Sequence, residues 1–154
     1  MHWFPSSIKV ACLAMAFVAG LGGCASSDPA IHLVGVELRE RTSEGVVLGI
    51  TLEADNPSSR PLPLREVTYS VYLNDTMVFR GERNAEATIR RYGSQRVTLP
   101  AAFVPGFPIE GTMRCRVTGE LTYVVPGVLA EALFDADVVR PTASFDVDGD
   151  VDLD

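Results

Sequence analysis

The densest collection of ligand-forming groups in the chain is "FDVDGDVDLD", residues 145 to 154. Asp146, Asp148, Asp150 and Asp152 recur with a period of two, so a strand would set all four on one face. Calcium prefers carboxylate oxygens, but a calcium loop folds several of them around one ion through tight turns. Along a strand, same-face side chains stand about 6.5–7 Å apart, and at most two reach a single ion. Phe145, Val147, Val151 and Leu153 fill the alternate positions, as a terminal sandwich strand requires. The row is expected to be an edge kept from unwanted pairing by its like charges, and calcium binding is the sharper alternative. Cys115 is a second candidate, because the flanking Arg114 and Arg116 could lower a thiol pKa. Yet Met113, Cys115 and Val117 alternate with those arginines, so the thiol should point inward and act as a small hydrophobe. His32 has no histidine or cysteine at metal-ligand spacing and no nucleophile partner. No G-x-S-x-G, C-x-x-C or phosphate-cradling glycine loop occurs, and nothing singles out an acid–base pair among the scattered carboxylates. No catalytic residue, cofactor or metal is expected.

Cys24 carries chemistry of a different kind. One cation, Lys9, precedes an apolar run from Val10 to about Leu21, which is shorter than the roughly 20 residues that span a bilayer. The run ends in small residues, as a secretory signal peptide does. "LGGC", residues 21 to 24, resembles the bacterial lipoprotein box. That resemblance implies a signal peptide over 1–23, cleavage before Cys24, and acylation of both its thiol and the new amino terminus. Several acyl chains on one residue hold a protein stably at a membrane, where one chain does so only marginally. Ala25, rather than aspartate, follows the cysteine. By resemblance to lipoprotein sorting in diderm bacteria, this favours the outer membrane, facing the periplasm.

Of 154 residues, the removal of 23 would leave 131, with 12 arginines against 20 acidic residues and a net charge of −8. Such a balance argues against nucleic acid, which needs clustered cations, and against electrostatic adhesion to anionic lipid. Only Cys115 would remain as a free thiol, so no intramolecular disulfide is expected. A tether over 24–30 then leads into a domain over 31–154.

From residue 31 onward the chain is strand and turn. "VVLGITLEA" sets Val46, Leu48, Ile50, Leu52 and Ala54 on one side, and "LREVTYSVYL" does the same with Val67, Tyr69, Val71 and Leu73. Asn74-Asp75 has the chemistry of a hairpin turn before "TMVFRG". "IHLVGVELRE", "EATIRRYG", "SQRVTLPAAF", "TMRCRVTGELTYVV" and "ASFDVDGDVDL" complete about eight strands. Their short, regular spacing predicts an all-β antiparallel sandwich rather than parallel βαβ units. At most one short helix is expected, over 128–136. "AAFVPGFPIEG", residues 101 to 111, crowds Phe103, Val104, Phe107 and Ile109 into a loop, either as a partner-binding patch or as a cap on the core. The cap is the favoured reading.

Between the second and third strands stands "ADNPSSRPLPLREV". Pro57, Pro61 and Pro63 donate no ladder hydrogen bonds, so this stretch should cross extended over an edge or corner and rejoin a sheet near Leu64. Asn56 can cap that corner by bonding backbone two residues on. Asn56-Pro57, Pro61-Leu62-Pro63-Leu64, Tyr69 and "YLND" resemble the signature of the water-stress and hypersensitive-response (WHy) domain, within the second group of late embryogenesis abundant proteins. The similarity extends over roughly residues 31 to 153, with Asp75 where glycine is usual. It implies a sandwich of fibronectin type III or immunoglobulin-like type, no catalytic residues, and a role in tolerance of desiccation or related stress. The expected partners are therefore a membrane, through the anchor at Cys24, and weakly bound client proteins. A scaffold lipoprotein with one specific envelope partner is the alternative.

Overall fold

The computed structural model describes residues 28–154, so the expected signal peptide over 1–23, Cys24 and most of the expected tether lie outside the described residues. Eight strands and one helix follow in the order β1 (Ala30–Arg41), β2 (Val46–Asp55), β3 (Leu62–Leu73), β4 (Thr76–Asn84), β5 (Thr88–Ile89), β6 (Ser94–Phe103), β7 (Thr112–Tyr123), α1 (Val128–Asp135) and β8 (Thr142–Asp152). Every pairing is antiparallel. One sheet runs β1-β2-β6 and the other β4-β3-β7-β8, with the two-residue β5 pairing β3. The all-β sandwich is thus the observed architecture.

Period-two patterning decides which face is inside. Leu48, Ile50, Val71, Leu73, Leu99 and Val117 are fully buried between the sheets, each contributing about 1.5–3 kcal/mol by leaving water. Asn74 and Asp75 adopt positive φ angles of 44° and 67°, the conformation a two-residue hairpin turn requires. Asparagine and aspartate tolerate it because their short polar side chains bond locally. Asn74 also fastens the turn to β7, donating its N–H to the Arg114 carbonyl and accepting the Arg114 N–H on its side chain.

One row across the larger sheet packs in an unusual way. Gly81, Tyr69, Gly119 and Phe145 lie in register on β4, β3, β7 and β8. A methyl group on Gly119 would stand 2.6 Å from the Phe145 ring, and one on Gly81 would stand 2.6 Å from Phe79. Glycine thus leaves room for each ring to lie across the sheet. Tyr69 reaches furthest, and its hydroxyl donates to the Pro100 carbonyl on β6, joining the two sheets. Burial raises the Tyr69 pKa, an effect the nearby Arg83 partly offsets.

Three segments differ from expectation. β1 begins at Ala30 with Pro29 already buried, so the packed domain starts ahead of residue 31. Only Thr88 and Ile89 of "EATIRRYG" pair as strand, because the chain must turn back at Arg91-Tyr92 to supply the corner described below. β3 resumes at Leu62 rather than Leu64, which places Pro63 inside a central strand. Proline is tolerated there because the β3–β7 ladder starts at Leu64 and Tyr123, so the missing N–H falls at its end.

Candidate functional site

Asn56 is, with Ser70, one of two buried polar residues among the described residues. It follows the last residue of β2 and is 2 % exposed. Its N–H donates to the Gly93 carbonyl at 2.9 Å. Its Oδ1 accepts the Ser58 N–H at 2.9 Å, closing the local turn that the Asn-Pro pair suggests. Its Nδ2 donates to the Arg60 carbonyl at 2.7 Å and the Arg90 carbonyl at 3.1 Å. Surrounding acceptors and one facing donor leave a single sensible orientation for the amide. A second strap ties the Tyr92 N–H to the Ser58 carbonyl at 3.0 Å. Together these bonds weld the 56–61 crossing to the 90–93 loop.

The prolines complete the corner. Pro57 and Pro61 are exposed on the crossing, while Leu62 and Leu64 turn into the core at 3 % exposure each. The Pro63 carbonyl accepts the Val124 N–H at 2.9 Å, and the Leu64 N–H donates to the Ala87 carbonyl at 2.8 Å. So the stretch passes from one sheet to the other at a corner of the sandwich, not along an exposed sheet edge. Arg60 reaches from it to the Pro126 carbonyl at 3.0 Å. Behind that contact, α1 is held by its buried Phe134, over whose ring the guanidinium groups of Arg65 and Arg140 lie at 5.8 and 5.4 Å. Pockets on both sides of Tyr92 are open grooves; the larger, of ≈ 670 Å³, is lined by Ser59, Pro61 and the 90–93 loop.

The corner falls within a recognised pattern. The LEA_2 family profile, late embryogenesis abundant protein, matches residues 51–141, from within β2 to the residue before β8. The chain belongs to that family. No curated protein sequence matches it. Among solved structures, an Arabidopsis thaliana protein determined in solution superposes with a TM-score of 0.62 at 15% identity, covering 82% of each chain. A late embryogenesis abundant protein, At2g46140.1, gives 0.59 at 16% identity, covering 81% of this chain and 71% of that one. A crystal structure from Archaeoglobus fulgidus gives 0.51 at 12% identity, over 79% and 98% of the two chains. These likenesses describe the fold.

Within this late embryogenesis abundant sandwich the signature residues act structurally. Asn56 holds the corner, Leu62 and Leu64 fill the core, and Tyr69 spans the sheets. The aspartate row lies outward on β8, the terminal strand of its sheet, opposite the arginines of β7. Arg116 Nε donates to Asp146 Oδ1 at 2.7 Å, and Arg114 donates to Asp148 at 3.0 Å. The hydrogen bond from Arg116 holds the Asp146 carboxyl below its usual pKa. Among the described residues no three His, Cys, Asp or Glu side chains gather where a metal could sit.

Cys115 is buried with its thiol pKa pushed up to about 11 by that burial. This is opposite to the lowering that flanking arginines could cause, because both arginines point to the other face. Of residues 101–111, the first three end β6, so Phe103 lies on a strand and the loop begins at Val104. Ile109 is buried and Phe103 and Phe107 pack against the core, while Val104 is exposed. Arg41 locks this end shut by donating to the carbonyls of Leu153 at 2.6 Å and Ile109 at 2.9 Å. His32 stands exposed 3.4 Å from Asp55. Sequence reasoning missed the 90–93 loop as the partner of Asn56, and missed the arginine–aspartate ladder. The shared outward parity of Arg114, Arg116 and the aspartates was the one signal available for the latter.

Proposed function

We propose that this is a non-catalytic domain of the WHy type, carried as a lipoprotein on Cys24 at the bacterial cell envelope, where it protects client proteins or membrane during desiccation and related stress. The family match carries this reading. The signature residues support it, because their side chains are spent on holding the corner and the core and present no reactive constellation. Generic protection needs a stable, highly solvated body rather than a pocket, and the net charge of −8 after removal of the leader supplies solvation.

The test has two arms. Cys24→Ala should release the protein from the membrane fraction, since no described helix is long and apolar enough to cross a bilayer. An unmodified Cys24 in the mature protein, seen by mass spectrometry, would reject the anchor. In the second arm, the mature chain should preserve several unrelated labile enzymes through drying at similar mass ratios. Protection no better than that of an inert protein of equal size and charge would reject the protective role. Retention of one envelope protein, lost on Phe107→Ser, would favour a specific scaffold instead.

A further inference from the structure

Nine large apolar side chains are exposed among the described residues, and six of them (Tyr92, Val125, Val128, Leu129, Val138 and Val139) lie at one end of the sandwich. The other three are scattered on β1, on the β3–β4 hairpin and after β6. That crowded end is also where the described chain starts. Ala30 is paired with Asp55, Asp55 with Ser94, and the Asp28 carboxylate accepts the Tyr123 hydroxyl. We propose that this end is a membrane-docking face, resting on the lipid surface that holds the Cys24 anchor.

The length of the leash chooses the occupant. Four residue steps separate Cys24 from Asp28, a span of at most about 14 Å when fully extended. Asp28 is fastened to Tyr123, immediately before Val124 and Val125. The hairpin end lies one strand length away, since β3 has 12 residues and rises about 3.3 Å per residue. Acyl chains on Cys24 therefore bring the apolar end, and not its opposite, to the bilayer.

The side chains there suit an interface. Val128 and Leu129 open α1 at 90% and 74% exposure, while the buried Phe134 seats the helix. Tyr92 is 72% exposed and is carried outward on a left-handed backbone with φ 50°. A tyrosine combines an apolar ring with a polar tip, which fits the headgroup boundary. Arg60, Arg90 and Arg91 belong to the same corner, and none is ion-paired with a described carboxylate. Such side chains lay their stems on apolar surface while the guanidinium meets lipid phosphates. Glu131, Asp135 and Asp137 stand on or beside α1, so attraction between net charges is not the main force. Apolar insertion is, with the arginines orienting the domain.

This inference rests on the anchor at Cys24, and its test separates the two. Trp3 is the only tryptophan of the chain and would leave with the leader, so an introduced tryptophan reports alone. Mature lipidated protein carrying Leu129→Trp, Val104→Trp or Val34→Trp is reconstituted into phosphatidylethanolamine–phosphatidylglycerol vesicles, with or without bromine on the upper acyl chain. All three substitutions are at exposed positions, and each is first checked for unchanged far-ultraviolet dichroism. Emission from Leu129→Trp should fall by about half or more in brominated vesicles, as for a side chain seated ~5–10 Å into the interface. Emission from Val104→Trp and Val34→Trp should stay unchanged. Flotation with the vesicles but no quenching at Leu129→Trp overturns the docking face and leaves the anchor standing. Quenching at Val34→Trp instead would lay the domain on its flank and overturn it too. Failure to float at all removes the anchor, and the docking face with it. Concentration-dependent self-association at Leu129→Trp without lipid quenching would assign the surface to a second copy.

Discussion

Replacing Asn56 by alanine should destabilise the domain by about 2–3 kcal/mol, although the residue lies in no strand. Three side-chain hydrogen bonds disappear, to the Ser58 N–H and to the Arg60 and Arg90 carbonyls. Each is worth about 0.5–1.5 kcal/mol net in a folded protein. The sum lies below the upper limit because both carbonyls keep another donor, Ser58 Oγ at 2.9 Å for Arg60 and the Gly93 N–H at 3.1 Å for Arg90. Urea unfolding of the chain from residue 24 on, with Cys24→Ser, would measure the loss as a midpoint lowered by roughly 1–2 M. Asn56→Asp sharpens the test. It sets a carboxylate oxygen against two carbonyl oxygens, which favours the protonated form in the folded state and raises the folded pKa above the unfolded value near about 3.9. Relative to the parent at each pH, this variant should therefore be least destabilised below that value and progressively more so as pH rises through the folded pKa. An unfolding free energy for Asn56→Ala within about 0.5 kcal/mol of the parent would refute the reasoning. So would Asn56→Asp equalling Asn56→Ala at neutral pH with no recovery in acid.

Tyr69→Phe should cost about 1 kcal/mol, since only the hydroxyl bond to Pro100 is lost while the ring contact with Phe79, at 5.4 Å between centroids, persists; an unchanged unfolding midpoint would remove that bond from the account of the inter-sheet join. Gly119→Ala should destabilise by about 1–3 kcal/mol, because its methyl group would press on the Phe145 ring and the Thr68 carbonyl; a stabilised variant would show that the row is not tightly packed. Cys115 should resist thiol reagents in the native protein at pH 8 and react on unfolding. With its folded pKa raised to about 11 from 9.0, the neutral-thiol preference is fully present below pH 9 and is lost as pH rises through 11. Stability of the parent relative to Cys115→Ala should fall across that window, and a flat difference would contradict the burial.

Much of the architecture was present in single-strand patterns. Val46 through Ala54 and Val67 through Leu73 alternate, and a pleated strand has no other way to bury one set while wetting the other. Asn74-Asp75 named its own turn because few residues accept positive φ, and Asn56-Pro57 named a local turn for the same kind of short-range reason. These properties depend on neighbours within a few positions, so the linear chain carries them. Partner choice at long range does not work this way. Asn56 meets Arg90 34 positions on, Arg116 meets Asp146 30 positions on, and Arg41 reaches Leu153 across 112. Each pairing exists because sheet order and register bring two outward or inward faces together, and neither member's own pattern encodes that. The gathering of Tyr92, Val128, Leu129 and Val139 is of the same kind. They come from three separate segments of the sequence, and only the folding of the 90–93 and 124–141 segments to the end that bears Asp28 turns them into one surface.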